Sequence, residues 1–212
     1  MTIPTGRART SKAVALFLAL IGSIFVSSAD ALPANPQDSV RNFYDVLLST
    51  MKNGRTLGQS GRYAALAPVV SGLFDVPFMA RLAVGPSWVT LTPTEQRQLI
   101  VAFGRYVSAT YAYRFDSYSG QRLEVTGDQP YGGDVIVKTE IVEAGSDPMT
   151  IDYLMRQNGG LWQISDVYLD GTISQLATQR SEFQSILQRE GFDGLIAALN
   201  HKADLLTSNT VE

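Results

Sequence analysis

The sequence predicts an α+β fold in which an antiparallel sheet carries helices packed against it. Three observations lead there. Residues 92–120 hold one long amphipathic helical stretch. Four segments between residues 122 and 169 switch to period-two alternation and are joined by short Gly-, Pro- and Asn-rich linkers. Helical periodicity then returns. Strands and helices segregated along a chain pack as a sheet with helices to one side, not as alternating βαβ units.

Residues 1–31 stand outside this fold. Arg7, Arg9 and Lys12 precede an apolar run at 13–26, and the small residues Ala29 and Ala31 close it. This is the layout of a secretory signal peptide cleaved after Ala31. The run falls short of the roughly 20 residues of a membrane span, which makes an uncleaved inner-membrane anchor the weaker alternative. Residues 32–37 read as a flexible, proline-broken leader, 38–206 as a single domain, and 207–212 as a tail.

Within the domain, Val40, Phe43, Tyr44, Leu47, Leu48 and Met51 recur at helical spacing up to Gly54. A second helical stretch, 62–74, contains Pro68. Proline lacks the backbone donor, so a kink or split is expected there. Asp75 is placed to cap a short helix with Pro77 in its first turn and Gly85 at its end. Thr92, Pro93 and Glu95 open the long helix with a capping box. Its expected length is about 22 to 25 residues. Leu99, Ile100, Phe103, Tyr106, Val107, Thr110 and Tyr111 fill one broad face.

The four expected strands are 122–127, 133–144, 149–157 and 161–169. Val135, Val137 and Ile141 fall on one face, opposite Lys138 and Glu140. Ile151, Tyr153 and Met155 alternate with Asp152 and Arg156. One face is therefore apolar. The other reads as a solvated surface of cross-strand charge pairs. Two closing helices, 173–189 and 193–206, are separated by Gly191 and Asp193.

The composition removes several function classes. The formal charge is −3, and −5 once residues 1–31 with three basic and one acidic residue are removed. A nucleic-acid partner is not expected, because phosphate contacts need clustered Lys and Arg. The chain has no cysteine, hence no disulfide, thiol nucleophile or lipoprotein anchor. Its one histidine, His201, sits between Asn200 and Lys202 and reads as a surface residue. A Ser-His-Asp arrangement needs a histidine as base, and His201 reads as solvated, with no G-x-S-x-G elbow in the chain. A His- or Cys-based metal site fails on ligand count. No cofactor is implied. Glu124, Glu140, Asp152 and Asp166 lie in strands. Asp152 or Asp166 could serve as the base of an isomerase or dehydratase; alternatively, Asp166 caps the helix that follows.

Several stretches, in their order and spacing, resemble a known family. They are "FDVPFMARLAVGPSW", "LTPTEQRQLIVAFGRYVSATYAYRFDSYSG", "IDYLMRQNGGLWQISDVYLDGTISQLATQRSEFQSIL" and "GFDGLIAAL". The family is the MlaC/toluene-tolerance group of periplasmic phospholipid-binding proteins, which act as substrate-binding partners of ABC transporters. "VGPSW", "FDSYSG" and "DGTISQLATQRSEF" are most similar to its hopanoid-associated HpnM branch. The resemblance covers nearly all of residues 38–200. It implies an NTF2-like fold with a four-stranded, mainly antiparallel sheet, whose flanking helices enclose an apolar pocket.

It also implies a soluble, non-enzymatic carrier of phospholipid or hopanoid. Such a carrier would exchange lipid between an inner-membrane transporter, of ABC/MCE or RND type, and an outer-membrane acceptor. An enzyme on the same frame, or an interaction module without a pocket, are the rival readings. The candidate pocket wall is Phe103, Tyr106, Val107 and Tyr111 of the long helix with Val135, Val137, Ile141, Ile151, Tyr153 and Met155 of the sheet. Trp88 is placed at the rim. Arg81, Arg105 and Arg114 are the candidate phosphate partners. A carrier is needed because each CH₂ moved from lipid to water costs about 0.8 kcal/mol, so a 16-carbon chain costs on the order of 12.

The intact mass of the exported protein is expected to correspond to a chain beginning at Leu32. Retention of residues 1–31 would instead indicate an anchor.

Overall fold

A computed structural model describes residues 35–208. The expected signal peptide, the first residues of the leader and the last four residues of the tail lie outside the described residues.

Helix α1, Pro36–Lys52, begins inside the expected leader. The Asn35 side chain accepts from the Asp38 amide at 2.8 Å, and Pro36 occupies the first turn, where its missing N–H costs nothing. Helix α2, Gly54–Leu73, is interrupted at Gly58 (φ 60°, ψ −176°) and not at Pro68. Ala64 and Pro68 lie on the exposed face. The carbonyl that loses its partner to the proline is thus not forced into the core. Helix α3, Val76–Val84, ends at Gly85 and leads through a 3₁₀ turn, Gly85–Thr90. Helix α4, Pro93–Arg114, has the expected capping box, and its 22 residues stop at Phe115, ahead of Gly120.

The sheet has five strands, not four, in the order β1-β2-β3-β4-β5, with neighbours antiparallel. They are β1 (Arg122–Tyr131), β2 (Asp134–Val142), β3 (Met149–Asn158), β4 (Leu161–Leu169) and the two-residue β5 (Ile173–Ser174). The extra strand follows from the turn at Asp170-Gly171, which folds the chain back along β4. Strand β1 also runs four residues further than its alternation suggested. It absorbs a bulge between Val125 and Gly127 and leaves only Gly132-Gly133 as a turn. Helix α5, Gln175–Ser208, contains the expected break at Gly191 (φ 70°) and continues into the expected tail. Glycine takes that left-handed conformation without the Cβ clash other residues meet.

The core draws on one sheet face and on all five helices. Phe43 of α1 meets Phe74, Tyr111 and Tyr153 edge-on, at centroid separations of 5.7, 5.2 and 6.4 Å. The helical layer is fastened to the sheet at Phe74-Asp75. Phe74 forms a parallel bridge with Ile164, and the Asp75 amide donates to the Ile164 carbonyl at 2.9 Å. The buried Asp75 carboxylate then accepts from the Phe78 amide (3.1 Å), Arg156 (2.8 Å) and Asn158 (3.3 Å). Arg156 also lies over the Phe78 ring, 4.0 Å from its centroid.

A second buried charge clamps the helix ends. Arg62 donates to the carbonyls of Ala112 (3.0 Å) and Gly54 (3.1 Å) and to Gln59 Oε1. Gln59 in turn donates to the Leu206 carbonyl at 2.6 Å. Arg62 has no carboxylate partner among the described residues. The negative end of the α4 dipole stands in for one.

Two expectations for the charged strand residues resolve differently. Asp152 is not on a solvated surface: it is 1% exposed. It accepts from Lys138 Nζ at 2.6 Å and from the Thr139 amide at 3.3 Å. The turn after β4 covers it, with the Asp170 amide bonded to the Thr150 carbonyl and Gly171 packed beside the Asp152 carboxylate. Asp166 caps α5. Its oxygens accept from Ser174 Oγ (2.5 Å) and from the amides of Leu176 (3.1 Å) and Val167 (2.7 Å).

Asp75→Ala removes a helix cap and two side-chain partners together. It is expected to lower unfolding free energy by about 2 kcal/mol, measurable as a lower urea midpoint at unchanged m-value.

Candidate functional site

A cavity of about 520 Å³ opens between α4, the start of α5 and one end of the sheet. This is within the range of pockets that enclose small ligands. Local periodicity explains its walls. Tyr106, Thr110 and Arg114 form one row at spacing four along α4, and Val107, Tyr111 and Phe115 form the next. Two adjacent rows of a helix share a face. Alternation in the strands delivers Ile141 from β2, Met149 and Ile151 from β3, and Val167 and Leu169 from β4. Gln175 and Gln179 come from the first turns of α5. Phe74, Met51 and Met79 complete the interior.

Polarity divides the cavity. The mouth carries Arg114, Asp116, Ser117 and Glu143, all exposed, with the half-buried Gln121 beside them. The rest of the lining is mostly aromatic and aliphatic, with Thr110, Gln175 and Gln179 as polar members; the buried Gln179 Oε1 has no hydrogen-bond partner among the described residues. Met149, 51% exposed, adds an apolar lip. The segment bearing Asp116 is held from behind. A Cβ on Gly54 would lie 2.1 Å from the Asp116 carbonyl oxygen, so only glycine permits this approach.

Three tyrosines cluster here, Tyr111 on the wall and Tyr44 and Tyr153 behind it. The Tyr44 and Thr139 hydroxyls share a hydrogen bond at 2.5 Å. Burial pushes the Tyr44 hydroxyl up to about 12. It also raises Tyr111 and Tyr153 well above the ordinary phenol value. The Tyr153 hydroxyl adjoins those of Tyr44 and Tyr111 but makes no well-formed hydrogen bond.

The profile of the MlaC protein family matches residues 41–201, most of the described chain. The chain belongs to the MlaC family. Its fold is also that of a solved structure, the phospholipid-binding protein from Ralstonia solanacearum in complex with a phospholipid. The two superpose with a TM-score of 0.71 at 22% identity, over 82% of this chain and 99% of the other.

In this MlaC-family chain, five of the sequence-derived wall residues lie on the cavity: Tyr106, Val107, Tyr111, Ile141 and Ile151. Phe103, Val137, Tyr153 and Met155 do not; all four are fully buried in the filled core. Val135 is half-buried against that core, and Trp88 lies on the 3₁₀ turn away from the cavity. The reason is that α1 and α5 fill the rest of the space. Tyr153 packs on Tyr44 (5.9 Å), and Phe103 packs on Phe183 (5.8 Å).

Of the three candidate arginines, only Arg114 lines the cavity. Arg105 pairs with Asp204 and Asn200 on α5, and Arg81 is exposed on α3. Neither Asp152 nor Asp166 lines the cavity, and His201 is exposed.

The residues that sequence reasoning missed had uneven signals. Val167 and Leu169 share the parity of a recognised strand and were legible. Three of the five methionines, Met51, Met79 and Met149, line the cavity. Such flexible thioethers suit an adaptable wall. Asp116, Ser117 and Glu143 follow from loop placement, which has no period.

Because Tyr44, Tyr111 and Tyr153 are neutral when folded, the stabilisation tied to their raised values is complete below pH 10 and is lost as pH rises toward about 12. Unfolding free energy is expected to fall steeply across that window, and phenolate absorbance from these residues should appear only with unfolding.

Proposed function

We propose that the protein binds a phospholipid, with acyl chains inside the cavity and the headgroup at its mouth, and carries it across the periplasm. The observation that carries this reading is the cavity's division into an apolar interior and a polar, solvent-facing mouth. That division matches an amphiphile with one end to hide and one to leave wet. The phospholipid held by a protein of the same fold and the family membership support it. Acyl chains demand a dry wall with few polar groups to satisfy. Phe74, Tyr111, Phe115, Ile151 and Val167 supply that wall, and the three methionines let it adjust to chain length and unsaturation.

Transfer between membranes follows from the cost of exposing an acyl chain to water. In this reading the protein is exported, loads from an inner-membrane transporter and delivers to an outer-membrane acceptor. No chemical step is required. The two buried strand carboxylates are occupied by Lys138 and by the α5 cap, away from the ligand.

Organic extraction of the purified protein followed by mass spectrometry is expected to release stoichiometric phospholipid. Lipid-free preparations that also fail to load from vesicles would overturn the proposal, and a hopanoid in place of phospholipid would overturn the ligand class. Ile151→Asp or Val167→Asp sets an unpaired charge on the cavity wall and is expected to reduce loading at least tenfold, since such a charge costs well over 1.4 kcal/mol. Val89→Asp, on a side chain 81% exposed and away from the cavity, is expected to load normally.

A further inference from the structure

The cavity mouth carries charge of both signs without pairing it. Arg114 comes from the last turn of α4, Asp116 from the loop that follows, and Glu143 from the residue just after β2. Arg114 makes no ion pair or hydrogen bond among the described residues. Asp116 Oδ1 accepts from Ser117 Oγ at 2.8 Å. Glu143 Oε1 accepts from Ser119 Oγ at 3.0 Å and Gln121 Nε2 at 3.4 Å. Each carboxylate keeps its second oxygen without a partner among the described residues. Arg114 itself lines the cavity.

We propose that this mouth selects a zwitterionic headgroup, with Arg114 on the lipid phosphate and Glu143 and Asp116 on a headgroup ammonium. The inference rests on the phospholipid reading above. A guanidinium fork suits phosphate oxygens. One cation and two carboxylates on the same mouth complement a ligand that carries both a phosphate and an amine. A phosphoglycerol headgroup offers the phosphate but no cation, and leaves both carboxylates facing a net negative ligand. All three side chains are exposed, so each contact is individually weak, and the preference is expected at about fivefold and not hundreds. It should shrink as salt is raised.

The test is competitive loading of the purified protein from vesicles containing equal parts phosphatidylethanolamine, phosphatidylglycerol and diacylglycerol with identical acyl chains. Bound lipid is quantified by mass spectrometry. Phosphatidylethanolamine is expected to exceed phosphatidylglycerol about fivefold. The double variant Asp116→Asn, Glu143→Gln should bring that ratio close to unity, and Arg114→Gln should lower both phospholipids relative to diacylglycerol. Soluble phosphoethanolamine, which has the charges without the chains, should not be retained. A ratio of unity in the unmodified protein, or one unchanged in the double variant, overturns the headgroup assignment while leaving the lipid-binding reading in place. Retention of soluble phosphoethanolamine overturns the lipid as its source. Absence of any loaded lipid overturns both.

Discussion

The structure depends on one buried carboxylate. Asp75 ends the run from α2, starts α3, and holds both to the sheet through Arg156, Asn158 and the Ile164 carbonyl. A buried charge of this kind persists only when its lone pairs are answered, and here backbone and side-chain donors answer them from three directions. Phe74, fixed beside it, can then face Phe43 and Tyr111 and form part of the cavity wall. The seam that closes the core also sets where the core stops. Phe74 and Tyr111, packed on each other at 5.4 Å, belong both to that core and to the wall of the cavity.

The mouth has a separate support. Arg62 gathers the α4 carboxyl end and the start of α2, while Gln59 adds the far end of α5. The absence of side-chain bulk at Gly54 lets the Asp116 segment settle against α2. Helix α4 thereby leads into a short ordered stretch that delivers Arg114, Phe115 and Asp116 in succession to the exposed side, the wall and the exposed side. One cation and one anion reach the rim from positions two residues apart without neutralising each other.

Much of this was legible in the sequence. The capping box at Thr92, the Gly191 break and the period-two segments fixed the order of helices and strands, because each rests on local chemistry. The division between core and cavity was not legible. Phe103 and Tyr111 occupy the same helical face, and period alone cannot tell a side chain that meets Phe183 from one that meets open space. That difference is set by how far α1 and α5 reach, a long-range property. Asp152 shows the same limit. Its alternation reads as solvent-facing until the turn at Asp170-Gly171 folds over it. Pro68 shows the converse: a strong local breaker was tolerated because its helix face is exposed, while the unremarked Gly58 took the break.

The methionine-lined wall has a chemical consequence. Met51, Met79 and Met149 line the cavity; the first two are buried and Met149 is open to solvent. Oxidation of a thioether to the sulfoxide converts a soft apolar surface into a strongly polar one that takes a hydrogen bond. The thioether chemistry that makes the wall adaptable also leaves it open to oxidants, beginning at the lip. Oxidation at the exposed Met149 would therefore make the lip of the cavity polar first, while Met51 and Met79 stay shielded in the core.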